Sequence, residues 1–332
     1  MNNKKTYIIA ELSANHNNDI NLALKTIDAI AKTGADAVKV QTYTADSLAL
    51  DVDNEYFGPK KTGLWKGIRP YDLYKKASLP YEWHKDLQSR AHELGLDFFS
   101  SPFDLEGVDF LEKLNVPIYK IASFEITDIG LIKYTASMGK PIIMSTGVAD
   151  VEDIKLAIET CRSVGNNDIT ILKCTSQYPA KIEDANLSTI LDMKERFGVD
   201  VGLSDHTMGS LVPIAAVSLG ATVVEKHFIL DRSLGGADSS FSMEPQEFKD
   251  MVDSIRNVER ALGSVSYEVS EESKLKRRSL FVTKDIKKGE ALTKENIRSL
   301  RPGHGAHPKI MTTIIGTKAK KDFLKGDPYL EF

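Results

Sequence analysis

Eight times between residues 7 and 262, a short apolar run gives way to a stretch with helical periodicity, and this alternation restricts the chain more than any single motif. The apolar runs fall at 7–13, 37–42, 97–101, 118–123, 141–146, 169–176, 201–205 and 222–228. Between them lie helix-like stretches at 21–33, 81–94, 104–114, 128–138, 151–164, 187–197 and 211–219, and a last one covers 245–262. The runs are nearly continuous in Val, Ile, Ala, Leu and Phe, as expected when helices cover the outer face of a parallel sheet. Local signals agree. Asp104 and Asp128 stand at helix starts, Glu152 and Asp153 follow Asp150 in a first turn, and Gly95, Gly139, Gly165, Gly198 and Gly220 each close a helix shortly before the next run. Eight such units match an α/β fold of the (β/α)8 TIM-barrel type. A doubly wound open sheet uses the same local pattern. Polar residues collect at the C-terminal end of nearly every run, which favours the barrel, because an open sheet concentrates its site at one switch point.

Two segments break the repeat. The insertion at 43–80, rich in Gly, Pro and aromatic residues, reads either as an ordered lid over the barrel mouth or as surface packing. After residue 262 the helical pattern ends, and short hydrophobic stretches appear beside the turns KKG and LKG. The expected organisation is a catalytic barrel over 1–265, a linker over 266–277 and a small, mostly β domain over 278–332, which is too short to be stable without packing on something. With 42% hydrophobic and 27% charged residues, the chain is not disordered. A balance of 43 Lys plus Arg against 47 Asp plus Glu carries no nucleic-acid footprint. Cys161 and Cys174 are too few for a disulfide framework. With no signal-peptide core and no membrane-length apolar run, the expectation is a cytoplasmic protein that contacts neither membrane nor nucleic acid.

The ends of the runs carry the chemistry. They read Glu11-Leu-Ser13, Lys39-Val-Gln41, Ser100-Ser101, Lys120-Ile-Ala-Ser123, Ser145-Thr146-Gly147, Cys174-Thr175-Ser176, Ser204-Asp205-His206 and Glu225-Lys226-His227. A single Ser or Thr after a strand is usually a helix cap, but serines and lysines recurring around one mouth suit a multiply charged anion such as phosphate. Lys39 and Lys120 lie within strands, where a charge is costly unless paired or bound. They either pair internally, with Glu11 or Glu125, or face an anion. His206 and His227 end neighbouring strands and could share one divalent ion whose other ligands are water and substrate, or serve separately as hydrogen-bonded or acid–base groups. Glu225 shares a strand face with His227 and is placed to take a proton or orient a water. His16 is expected to cap or to pair near Glu11. His84 and His92 lie on a helix and receive no role.

The segments AELSANHN, AVKVQT, FFSSPFD, YKIAS, PIIMSTG, KCTSQYP, VGLSDHTMG and VVEKHF, followed by RRSL and RPGHG, occur here in one order. Together they resemble the sialic-acid synthase family over nearly the whole chain. The resemblance implies a TIM barrel followed by an antifreeze-like (SAF) domain, and a domain-swapped homodimer in which that domain covers the partner's active site. It also implies an enzyme that condenses phosphoenolpyruvate with an N-acylated amino sugar and depends on a divalent metal ion, Mn²⁺, Mg²⁺ or Co²⁺. By motif, the metal ligands fall on His206 and His227, and the phosphoenolpyruvate contacts on Lys39, Ser101, Lys120, Ser123, Ser145, Ser176 and Ser204. Ser176 stands where the sialic-acid branch usually has an Asn. The acceptor-sugar positions fall on Gln41, Glu125, Tyr178, Asp238, Phe241 and Arg301. Glu11, which also matches a position near the sugar, is grouped with Glu225, His206 and His227 as a catalytic residue.

The stretch Gly235–Ser242, with GLWKG and YDLYKKASLPYEWH, resembles the pseudaminic-acid synthase branch. That branch takes 2,4-diacetamido-2,4,6-trideoxy-L-altrose and releases phosphate by C–O cleavage. Trp65, Tyr71 and Phe241 are then expected beside the sugar's methyl group. The competing readings are an N-acetylneuraminate or legionaminate synthase and, further off, a sugar-binding protein without turnover.

Overall fold

The computed structural model describes residues 5–330. It divides into two compact units, one ending at Gly263 and the other beginning at Ser264.

In the first unit eight parallel strands close into a barrel in sequence order: β1 (Tyr7–Glu11), β2 (Ala37–Thr42), β3 (Asp97–Pro102), β4 (Tyr119–Ile121), β5 (Ile142–Ser145), β6 (Ile169–Cys174), β7 (Asp200–Asp205) and β8 (Val223–His227). β8 pairs back onto β1, which excludes the open sheet. A helix follows each strand: Ile20–Ala31, His84–Glu93, Leu105–Lys113, Ile129–Ser137, Val151–Ser163, Thr189–Phe197, Leu211–Ser218 and Pro245–Leu262. The caps form where the sequence places them. Asp104 accepts from Gly107 N at 2.6 Å, Asp128 from Leu131 N at 3.0 Å, and Asp150 closes a capping box with Asp153.

Because strand side chains alternate between faces, each strand gives one set of residues to the barrel interior and one to the helix layer. Ile9, Phe99, Ile143, Leu172 and Val223 are buried beneath the polar residues that follow them two positions later. Gly202 belongs to this packed layer. A Cβ there would lie 2.5 Å from Val223 O and 2.7 Å from Leu172 Cδ2, so only a glycine lets β7 and β8 approach at this level. The insertion at 43–80 carries two short helices, Ala45–Leu48 and Pro70–Ala77. Its Trp65 Nε1 donates to Ala237 O at 3.1 Å, in the loop after β8, so the insertion reaches over the mouth as a lid would.

The second unit holds an antiparallel pair, β9 (Ser279–Val282) and β10 (Ile297–Leu300), with bridges from Ile286 to Phe323 and from Ala291 to Lys318. Its own core gathers Leu280, Val282, Ile286, Leu292, Ile297, Ile314, Ala319 and Phe323. The stretch 266–277, expected as a linker, falls within this unit and contains a short helix, Glu271–Leu275, capped by Ser270. In RPGHG, a Cβ on Gly305 would lie 2.1 Å from Leu280 O, which is why that loop can press against β9.

Gly202→Ala should lower the unfolding free energy of the barrel by about 1–3 kcal/mol, since overpacking forces neighbours off their rotamers. Chemical denaturation of the two proteins side by side measures it, and equal midpoints and slopes would contradict this packing.

Candidate active site

Every strand of the barrel delivers a polar side chain to its C-terminal end. Glu11 comes from β1, Lys39 from β2, Ser101 from β3, Lys120 from β4, Ser145 from β5, Cys174 from β6, Ser204 from β7, and Glu225 and His227 from β8. The register levels them, with Glu11 opposite Lys39 and His227, and Ser204 opposite Cys174 and Glu225. All are buried.

Four charges form the centre. Lys39 Nζ lies 2.6 Å from Glu11 Oε2 and 3.7 Å from Glu225 Oε1, and Lys120 Nζ is also 3.7 Å from Glu225 Oε1. Both lysines are therefore ion-paired, Lys39 chiefly with Glu11 as one reading expected, and Lys120 with Glu225. Serines complete the ring. Lys120 Nζ donates to Ser145 Oγ at 2.7 Å, Lys39 Nζ to Ser101 Oγ at 3.4 Å, and Ser204 Oγ to Glu225 Oε1 at 3.2 Å. Burial pushes Glu11 up to about 7 against the pull of Lys39, and Glu225 adds to the rise. Burial would also raise Glu225, but Lys120 and Lys39 outweigh it and hold that carboxyl below its usual range. One buried carboxyl is thus poised near neutrality and its neighbour is held ionised, the separation that divides acid from base roles. Glu225 Oε2 has no hydrogen-bond partner among the described residues.

On the β4–β6 side, Gly147 brings three side chains together. Its N–H donates to Ser123 Oγ at 3.1 Å, and a Cβ at this position would lie 2.1 Å from Ser176 Oγ, 2.9 Å from Ser123 Oγ and 3.1 Å from Cys174 Sγ. Ser123 and Ser176, two of the five expected serines, therefore meet around Gly147, and the absence of a Cβ there leaves room for both. Glu125, two residues after Ser123, is half-buried and pushed up to about 7 by desolvation, with Lys120 opposing.

Next to this cluster, with His206 Nδ1 3.9 Å from Cys174 Sγ, the mouth is aromatic. Phe241 packs edge-on to His227 with ring centroids 4.9 Å apart, and Tyr178 lies 4.4 Å from His206, 5.2 Å from Phe241 and 5.8 Å from Trp65. Tyr71 is not part of this wall. Its hydroxyl donates to Asp46 on the insertion at 3.0 Å. Of the two roles expected for His16, the structure shows the local one: its Nδ1 accepts from Asn18 N at 3.1 Å, and the ring packs against Trp83 and bonds Ala77 O at 3.2 Å, with no pair to Glu11. His84 is buried against Thr42 and is structural. Arg301 is exposed in the second unit, just before Pro302.

His206 and His227 stand with ring centroids 5.3 Å apart. His206 Nδ1 bonds Thr175 O at 3.0 Å, which leaves its Nε2 for a ligand. His227 Nδ1 is buried without a hydrogen-bond partner among the described residues, 3.8 Å from Asp238 Oδ2. Among the described residues no group of three or more His, Cys, Asp or Glu side chains is arranged to hold a metal. The pair fits an ion that takes its remaining ligands from water and substrate oxygens.

Ser13 was visible as a polar strand end but received no role. Its backbone lies in the left-handed region (φ 48°), which is costly for a residue with a Cβ and recurs at functional sites. Ser13 Oγ donates to Asp238 Oδ2 at 2.6 Å and accepts from Gln41 Nε2 at 3.1 Å, and Gln41 Nε2 also donates to Glu11 Oε1 at 3.0 Å. One hydroxyl therefore joins the loops after β1 and β8 to β2. Asn15 adds a second stitch through Phe228 O and Ser242 Oγ. The positive φ of Ser13 has no signature in a single sequence.

Comparison with known proteins agrees with this architecture. Residues 26–267 match the NeuB family and residues 277–328 match the SAF domain. The chain is 52% identical to a pseudaminic acid synthase of Helicobacter pylori, over 96% of this chain and 95% of that one. It is 39% identical to an N,N'-diacetyllegionaminic acid synthase of Legionella pneumophila, over 98% and 93%. The crystal structure of an N-acetylneuraminic acid synthetase from Leptospira borgpetersenii, in complex with citrate, superposes with a TM-score of 0.72 at 33% identity, covering 81% of this chain and 89% of that one. No helix among the described residues is long and apolar enough to cross a membrane.

Gly147→Ala should weaken binding of inorganic phosphate by about ten- to a hundredfold, the equivalent of losing one hydrogen bond to a charged group. Isothermal titration with phosphate reads it, and unchanged affinity would move the anion site elsewhere.

Proposed function

Because this chain belongs to the NeuB family, we propose that it condenses phosphoenolpyruvate with 2,4-diacetamido-2,4,6-trideoxy-L-altrose and releases phosphate, the reaction of a pseudaminic acid synthase. The observation that carries this is 52% identity to such a synthase across nearly the full chain, against 39% to a legionaminic acid synthase. The site supplies the matching halves, a cradle of lysines and serines for a multiply charged anion and an aromatic and amide wall for a sugar.

Lys39 and Lys120, with Ser101, Ser123, Ser145, Ser176 and Ser204, hold the phosphate and carboxylate of phosphoenolpyruvate, so that its C3 carbon faces the C1 aldehyde of the open-chain sugar. Gln41, Glu125, Tyr178, Asp238 and Phe241 orient the sugar, and fixing both reactants removes much of the entropic barrier. The new bond joins C3 to C1, and the aldehyde oxygen takes a proton from Glu11. Water adds to C2 and gives its proton to Glu225, whose free oxygen faces the same space. The C2–O bond then breaks and phosphate leaves. His206 and His227 would hold a divalent ion, which when bound polarises the aldehyde.

The mouth is rimmed by exposed apolar side chains on the connections after β4, β6, β7 and β8: Phe124, Ile182, Met208 and Leu234, with Leu211 at the start of the helix after β7. Such a rim favours cover by another chain. We assign that role to the second unit of a partner subunit in a homodimer, with Arg301 reaching the acceptor sugar.

Phosphate release with each of the three candidate sugars, with mass spectrometry of the product, tests the reading. Turnover confined to the altrose derivative supports it, and preference for N-acetylmannosamine overturns the choice of branch. His206→Ala and His227→Ala should each reduce metal-stimulated turnover at least about a hundredfold. Glu11 faces Lys39, Glu225, Lys120 and Gln41 and acts protonated, so kcat/KM should fall as pH rises through about 7. Glu11→Gln should flatten that limb, and an unaltered profile would remove Glu11 from the proton transfer.

A further inference from the structure

The two imidazoles at the mouth are tied together from behind. Asp205 precedes His206 and Lys226 precedes His227, and the two are register partners across β7 and β8. Their side chains turn away from the face that carries Glu225 and His227 and are 3% and 1% exposed. Lys226 Nζ pairs with the Asp205 carboxylate and donates to Thr207 O at 2.6 Å. The same carboxylate accepts from Thr207 N at 3.1 Å and from Thr207 Oγ1 at 3.0 Å. His206 therefore lies in a three-residue turn whose flanking residues are both bound to one ammonium group, and that ammonium belongs to the residue before His227. From the β6 side, Ala180 N donates to His206 O at 2.9 Å, which anchors the same turn.

We propose that the Asp205–Lys226 pair is a positioning clamp that sets the spacing of His206 and His227 and so the affinity of the site for a divalent cation. The inference rests on the reading that these imidazoles hold a metal. A buried ion pair contributes little stability relative to apolar residues of similar volume, so packing alone gives this position no reason to be charged. What the pair does supply is direction. An ammonium that must meet a carboxylate and a carbonyl at once fixes both strand ends, whereas two apolar side chains would let the turn slide. The clamp touches none of the lysines and serines of the anion cradle, so its loss should leave that cradle intact.

The test is Mn²⁺ titration of the full chain by electron paramagnetic resonance, alongside phosphate affinity and thermal unfolding. Asp205→Asn/Lys226→Met removes both charges together and leaves neither ion buried alone. It should bind Mn²⁺ about ten- to a hundredfold more weakly, the usual effect of losing an outer-shell partner, with phosphate affinity unchanged. Should that variant fail to fold, Thr207→Val removes only one hydroxyl from the clamp and should weaken Mn²⁺ binding about fivefold, as expected for one hydrogen bond. A folded variant with wild-type Mn²⁺ affinity overturns the clamp. Wild-type protein that binds no Mn²⁺ overturns the metal reading itself and the clamp with it.

Discussion

Two lysines and two glutamates inside a closed sheet set the terms for the rest of the mouth. Lys39, Lys120, Glu11 and Glu225 are all nearly inaccessible to water, and desolvating four such groups is costly enough that none can be left alone. Each lysine therefore has a carboxylate within 3.7 Å or less, and hydroxyls from the neighbouring strands surround the cluster. The arrangement is not economical as a source of stability, because an apolar layer of the same volume would serve the barrel at least as well. It makes sense as a preformed field. Burial lifts Glu11 to about 7 and lowers Lys120, while the lysines hold Glu225 below its usual range, so the charge of each group is set by the other three, on a scaffold too rigid to collapse onto them.

That field was only half legible in the sequence. The strands, the helices and their order could be read because a buried parallel strand and an amphipathic helix leave different periods, and because caps such as Asp104 and Asp150 act within four residues of themselves. Lys39 and Lys120 could be flagged because a charge inside an apolar run needs an explanation. Their partners could not be assigned. Glu125 stands beside Glu11 as a candidate ion-pair partner, while Glu225, which approaches both lysines, reads in the sequence as an acid–base group on the face of His227 and not as their partner. Register across the closed sheet decides this, and register is a property of eight strands at once.

The same limit explains the other departures. His16 follows β1 closely enough to suggest a place beside Glu11, but the turn at Ser13 redirects the chain and His16 packs against Trp83 instead. Tyr71 belongs to a segment that does reach the mouth, yet its own hydroxyl is taken by Asp46, and Trp65 is the residue that meets Ala237 and Tyr178. Ser13 and the Asp205–Lys226 pair escaped notice for a common reason. Each acts by joining two elements distant in sequence, and neither residue type is unusual where it stands. A serine after a strand looks like a cap, and an Asp beside a His looks like a solvated turn.

The division of labour within the mouth follows from which parts of a barrel can vary. The anion half is borne mainly on strand ends, where a shift of one residue would turn a lysine from the interior to the helix layer. It suits a reactant common to the whole family. The half proposed for the acceptor is borne largely on loops: Asp238 and Phe241 after β8, Tyr178 after β6, and Trp65 on the insertion after β2. These loops are held to one another by side-chain contacts, among them Ser13 to Asp238, Asn15 to Ser242 and Trp65 to Ala237, and not by strand pairing, so their shape can change without disturbing the register beneath. A family that keeps one donor and varies the sugar needs both properties. In this chain the hydroxyl of Ser13 is the joint between them, since through Gln41 it meets the carboxylate of Glu11 on the strand side and through Asp238 it reaches the sugar wall.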